Sequence, residues 1–335
     1  MRVWYAIARY KMSAKRKPRV AQEEPKEVTM KAAVKAAVKP RKNKHVVLVS
    51  DITTFFQHSS RDKNDATNKV RERVLECMCS PPAAFLEDET HGPAWQQVHR
   101  EWNASLATLV NLPYTSTSII MKGGRGFHYD AEVSFYHERE QVATRKIEFK
   151  YGGTNIDALP QFLSLQAKFE LFAETYDTFW YEHYLDAYLA CDAELTVAKP
   201  SLDAYLKCVT KTTYSVSPFF EKLKERELMF QAEKDAVVNQ SITDYLTKHG
   251  EGINLALFSE KVQSTQREKS YLLWSNGAFH VDSLSEPEMI NMSYHAIRNG
   301  NVLEVKSGNT VYSLLLRWRN HKGILNPAWQ ISMKR

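Results

Sequence analysis

Between residues 94 and 110, apolar residues recur every three or four positions, with Trp95, Val98, Trp102, Leu106 and Leu109 on one stripe. That spacing predicts an amphipathic helix. The same rhythm predicts a helix over 65–79, closed by Pro81 and Pro82. It returns from 160 to 189 through Phe162, Leu165, Phe169, Phe172, Tyr176 and Phe179. Pro160 is compatible with a first helical turn, and the aromatic stripe reads as core. Further helices are expected over 201–209, 218–238 and 242–248. Strand patterns differ. Segments 116–122 and 127–136 read as a hairpin around Gly123-Gly124-Arg125-Gly126. Over 145–152, Ile147 and Phe149 alternate with Glu148 and Lys150, so the two pairs point to opposite faces. From Lys269 the chain becomes β-rich, with strands expected over 271–274, 277–281, 302–306 and 311–319 and Asn-Gly, Gly-Asn and Ser-Gly turns between them. Val46-Val47-Leu48-Val49 reads as a buried strand or a docking segment.

Composition narrows the class. With 335 residues and 43% hydrophobic content, the chain can build one large or two modest domains. No run of some 18 apolar residues exists, so no membrane-spanning helix is expected. The first ten residues are too short and arginine-flanked for a secretory signal, and Met12 is an alternative initiator. Residues 1–44 read as a disordered basic tail. Its Lys-Ala-Ala-Val repeats lack the apolar bulk for a core. Such a tail resembles that of a linker histone and neutralises phosphates without reading sequence. Its clusters at 15–19 and 41–44 fit nuclear import signals; a merely solubilising tail is the other reading. The four cysteines include one close pair, Cys77 and Cys79, at a spacing that matches no common zinc pattern. Ordinary thiols and an intracellular or nuclear location, not secretion, are expected. Residues 11–44 carry a net +9 and 296–335 a net +6, while 45–295 is acidic at −11. An acidic body with basic ends is not a uniform coater of a polyanion; any such grip would come from particular segments.

The candidate chemistry lies between Asp130 and Glu148. If the strands carrying them pair, Asp130 joins Glu148 and Lys150 on one edge. Two carboxylates and a lysine there suit a divalent cation and an activated water. An acid two residues before a lysine also occurs at Glu24 and Lys26, in the tail, and at Glu304 and Lys306, with Asp282 upstream. Only the Glu148 set is followed by a turn and an expected helix, with Gln161 and Gln166 near its start. The alternative reading of Asp130, Glu148 and Lys150 is a solvated strand face with ordinary ion pairs.

This arrangement resembles the restriction-endonuclease-like superfamily, named PD-(D/E)XK for its motif, over roughly 93–166. Tyr129 stands where the motif has proline. The resemblance implies an α/β fold, mixed α+β in detail, with a central mixed sheet flanked by helices. It implies a nuclease domain over 45–335, divided into a core at 93–190, a helical insertion at 191–268 and a C-terminal β-rich segment at 269–335. Asp130 and Glu148 would hold Mg²⁺, or Mn²⁺ in its place, with the Phe149 carbonyl as a further ligand. Lys150 would orient the attacking water or stabilise the transition state. Gln166 would join the catalytic set. Glu101, on the helix before the first strand, is an additional ligand candidate or an exposed helix glutamate.

DNA contacts are expected from Arg125, Gln161, Arg317, Arg319 and Lys322. Arg317 and Arg319 share one strand face opposite Leu314, Leu316 and Trp318. They suit phosphate or guanine edges, or are a solvated face. The expected function is a Mg²⁺-dependent DNA endonuclease, site-specific and restriction-like, acting on double-stranded DNA. A homodimer is a candidate assembly. The alternatives are a structure-specific DNA repair nuclease and a non-catalytic DNA-binding protein on the same fold.

Overall fold

The structure is a computed structural model and describes residues 46–58, 64–122 and 127–335. The basic tail and the 123–126 turn with Arg125 lie outside the described residues. Helices come first: α1 (Asp51–Phe56), α2 (Asn64–Cys77), α3 (Ala83–Leu86) and α4 (Gly92–Leu109). A meander follows, made of β1 (Ser116–Met121), β2 (Ala131–His137) and β3 (Glu140–Tyr151). After β4 (Leu163–Gln166) the chain is helical again through α5 (Tyr176–His183), α6 (Leu185–Ala190), α7 (Leu202–Val209), α8 (Pro218–Glu225), α9 (Gln231–His249) and α10 (Leu255–Gln266). It ends in β5 (Lys269–Ser275), β6 (Ala278–Asp282), β7 (Ser293–Arg298), β8 (Val302–Ser307), β9 (Thr310–His321) and β10 (Leu325–Lys334).

These strands form two five-stranded sheets, ordered β1-β2-β3-β5-β6 and β4-β10-β9-β8-β7. Every pairing is antiparallel except β3 with β5. The fold is therefore mixed α/β. Val47–Arg335 forms one compact unit, and the expected segments interleave within it. β5 and β6 complete the sheet begun by β1–β3, whereas β4 joins the C-terminal strands. Among the described residues, no helix is long and apolar enough to cross a membrane.

Alternation along β3 creates the two faces of the first sheet. Ile147 and Phe149 pack with Val133, Phe135, Leu272 and Trp274 against the α4 stripe of Trp95, Val98, Trp102 and Leu106. Tyr271 and Leu273 point the other way, into the core that covers the inner face of the second sheet. Those two residues pair in register with Glu148 and Lys150. The acid and the lysine thus leave β3 on the face turned toward the second sheet.

Several expectations need correction. The helix predicted over 160–189 is instead β4, a packed loop and two short helices. Leu163, Leu165 and Ala167 are buried, whereas Ser164 and Gln166 are not, so this stretch also fits a period of two. Pairing with Ala328–Ile331 decides between the rhythms. The helix predicted over 218–238 is broken by a turn at 226–230, where Phe230 takes a left-handed conformation (φ 52°). Residues 46–49 form no strand; Val47 and Val49 dock on the first core, and the Val49 carbonyl accepts from the Trp95 indole at 2.8 Å. The strand expected from 127 begins at Ala131.

Candidate active site

Asp130 lies one residue before β2, yet its backbone is held on both sides. Its N–H donates to the Ile147 carbonyl on β3 at 2.9 Å, and its carbonyl accepts from Lys122, just past β1, at 2.7 Å. Its Oδ2 accepts from the Phe149 N–H at 2.9 Å. In a strand the N–H and C=O of one residue point to the same side, so the Phe149 carbonyl leaves β3 on the edge that Asp130 occupies.

Glu148 is gripped at both oxygens. Lys150 Nζ lies 2.6 Å from Oε1, and Lys269 Nζ lies 2.5 Å from Oε2. Lys269 comes from β5, brought alongside β3 by their parallel pairing. Its ammonium also donates to the His128 carbonyl at 2.9 Å. The Lys269 side chain is 4% exposed and that of Glu148 13%, whereas Lys150 keeps 34%. Lys150 is thus the cation that a substrate can reach. Lys269 was not foreseen: a lysine opening an apolar strand resembles an ordinary strand-end charge, and its partner lies more than a hundred residues earlier.

Burial is the largest single influence on each member of this group, and the neighbouring charges reverse it at two of them. It raises the Asp130 carboxyl above the ordinary range, helped by the Glu148 charge and opposed by Lys150, the Phe149 N–H and Lys269. Glu148 is also penalised by burial, but Lys150 and Lys269 outweigh it and hold its carboxyl below the ordinary range. Burial lowers Lys269 despite Glu148. For Lys150 burial is opposed by Glu148, with Asp130 and Glu72 adding to that opposition, and the net shift is upward. Unlike charges separated by a few ångströms favour each other's ionised forms, and desolvation opposes both.

Two clefts meet at this cluster. One of about 240 Å³ is lined by Asp130, Glu148, Lys269, Gln161 and Ser164. The other, of about 440 Å³, is lined by Asp130, Lys150, Gln161, Asn68, Arg71 and Glu72. Gln161 borders both, as expected of a residue near the chemistry. Arg319 donates to Ser164 Oγ at 3.3 Å and is exposed, which brings it to the rim of the first cleft. Arg317 aligns across β10 with Gln166 through Ala328, on the same outer face of the second sheet.

Other expected residues fall elsewhere. Gln166 is not on a helix; it ends β4, exposed, and Ser164 lines the cleft instead. Glu101 is on α4, which packs on the Ile147 and Phe149 face, opposite to Glu148, and it pairs with Arg100 at 3.8 Å. Lys322 follows β9 and pairs with Asp235 on α9 at 3.1 Å. The competing set is not assembled: Asp282 is on β6 and binds Arg335, whereas Glu304 is on β8 in the other sheet and binds Arg298. The four cysteines are free, and burial pushes the Cys77 and Cys79 thiols up.

Among the described residues, Glu174, Glu182 and His183 are the one trio of metal-type donors gathered within 4.8 Å. Glu174 already pairs with Lys248 and His249 there. The Asp130 cluster offers two carboxylates and a carbonyl, an all-oxygen set suited to a hard divalent cation that keeps several waters. Compared with known proteins, the chain matches no family model, no curated protein and no solved structure.

Proposed function

We propose that this chain is a metal-dependent DNA endonuclease working at Asp130, Glu148 and Lys150. The observation that carries the reading is the meeting of these side chains where two clefts join at Asp130, with a one-third-exposed lysine beside two partly buried acids. Further support comes from the architecture. A helix precedes the first strand of a mixed sheet, as the PD-(D/E)XK resemblance implies, and helices pack on the face opposite Glu148.

Asp130, Glu148 and the Phe149 carbonyl would hold Mg²⁺ or Mn²⁺. When bound, the ion neutralises phosphate charge and makes its water more acidic. Hydrolysis forms a new P–O bond to a water oxygen and breaks one bridging P–O bond. Lys150 is reachable from the cleft and held by Glu148 Oε1. It can orient that water or donate to the non-bridging oxygens as charge builds. Gln161, on the rim of both clefts, and Arg319, beside Ser164, are suited to the strand that crosses the site. Arg317 and Gln166 extend the same polar face. Double-stranded DNA and site-specific cleavage are the substrate and mode that this reading favours.

One feature favours a second reading. Both Glu148 oxygens are satisfied by lysines, so Asp130, Glu148, Lys150 and Lys269 form a charge-neutral group. A structural ion network in a DNA-binding protein would look the same. The experiment is incubation with supercoiled plasmid in Mg²⁺, in Mn²⁺ and in EDTA. Metal-dependent nicking or linearisation supports the nuclease. DNA retardation without cleavage in any metal supports the binding protein.

A further inference from the structure

Lys269 is a buried cation in a site where nuclease chemistry calls for a divalent ion. It holds Glu148 Oε2 at 2.5 Å and the His128 carbonyl at 2.9 Å. His128 is two residues before Asp130, so a single ammonium ties β5, Glu148 on β3 and the approach to β2. Its own side chain is almost wholly enclosed, which leaves it no alternative position in solvent.

Two-metal phosphodiesterases place ions about 3.5–4 Å apart, bridged and flanked by carboxylates. Here the cluster has two carboxylates, and the Glu148 oxygen available to a second ion is taken by Lys269. The charges tell the same story. Asp130 and Glu148 are offset by Lys150 and Lys269, while Glu72 and Arg71 on α2, in the adjoining cleft, add one charge of each sign. One divalent ion brings this group to a net +2, which matches the two negative charges of a pentacoordinate phosphorane. A second ion would bring it to +4 in a half-buried site, where like charges repel strongly.

Resting on the nuclease reading above, we propose that Lys269 is a positioning residue that takes the place of a second metal ion, so that the site uses one divalent cation. The lysine holds Glu148 in place beside the cleft that it shares with Asp130. It also supplies, as a fixed charge, part of the neutralisation that a second ion gives elsewhere.

The test is calorimetric titration of the full chain with Ca²⁺, together with the Mg²⁺ dependence of plasmid cleavage. The wild type should bind one Ca²⁺ at this site, a site lost in Asp130→Ala, and its cleavage rate should rise with a Hill coefficient near one. Lys269→Met frees Glu148 Oε2, so binding should rise to two ions and the Hill coefficient should move toward two. The cleavage rate should fall at limiting Mg²⁺ and recover in part at high Mg²⁺. Lys269→Arg keeps the charge and should retain one ion. Circular dichroism checks that each variant folds, and the wild-type stoichiometry tests the idea even if Lys269→Met does not. Two Ca²⁺ ions at the wild-type site, or a Lys269→Met variant with unchanged stoichiometry and Mg²⁺ dependence, overturns the assignment. No divalent binding and no cleavage in the wild type overturns the nuclease reading itself.

Discussion

Glu148→Ala removes the one carboxylate that two lysines share, and the cost can be worked from their exposure. Lys150 is about one-third exposed and can turn its ammonium to water, so its loss of a partner adds little. Lys269 cannot, being 4% exposed and hemmed by β3, β5 and the His128 loop. Removing one member of a buried pair costs about 3–5 kcal/mol, because the other charge is left uncompensated. Natural domains have only about 5–15 kcal/mol to lose. For a unit running from Val47 to Arg335, an unfolding entropy of about 2 cal/mol/K per residue gives roughly 0.6 kcal/mol/K, so Tm should fall by about 5–8 °C. Urea denaturation followed by tryptophan fluorescence measures the loss directly. Glu148→Ala combined with Lys269→Met should recover most of it, since both charges then leave together. A single mutant within 1 kcal/mol of wild type, or a double mutant whose losses add, would refute the claim that this pair is buried and mutually dependent.

Asp130→Asn should do the opposite. Burial and the nearby Glu148 charge raise the Asp130 carboxyl, so its ionised form opposes folding. In chelator the variant should melt about 1–3 °C above wild type, a gain of about 0.5–2 kcal/mol. The gap should close as pH falls and wild-type Asp130 takes up its proton; a lower-melting variant would contradict this. The Tyr129 phenol, which donates to Glu132, is pushed up to about 12. Its protonated form is favoured in the fold, so its contribution to stability holds below the ordinary phenol range and fades as pH rises through 12. Absorbance titration at 295 nm should show a late tyrosine that moves toward 10 in Glu132→Gln. Deleting residues 1–44 should weaken DNA binding and flatten its salt dependence, because fewer counterions are released. The cleavage pattern should survive that deletion but change in Arg317→Ala/Arg319→Ala, at about 1–3 kcal/mol for each arginine that reads a base edge. Gel retardation across a salt series and fragment mapping separate the two effects.

Local patterns were readable where one period stood alone. The α4 stripe and the alternation of Ile147, Glu148, Phe149 and Lys150 each fit a single rhythm, and both predicted the right element and face. Residues 162–172 fit two rhythms, and the partner strand that chose between them lies some 160 residues later in the chain. The break at Phe230 carries no glycine or proline to announce it. Lys269 was hidden for a related reason. Its role exists only because β3 and β5 pair in parallel across the whole helical region, and no local pattern encodes that pairing. Gln166 and Glu101 were assigned on family expectation, and each fails on placement: the first sits exposed at the end of β4, and the second is on the wrong side of the sheet.

The most direct test is single-turnover cleavage of plasmid DNA in Mg²⁺ by wild type, Asp130→Ala, Lys150→Ala and Glu304→Ala at matched DNA occupancy. The account predicts cleavage by wild type and Glu304→Ala. It predicts none by Asp130→Ala, and a rate lower by about a hundredfold or more for Lys150→Ala, with DNA still bound. Undiminished cleavage by Asp130→Ala and Lys150→Ala, or loss of activity in Glu304→Ala alone, would contradict it.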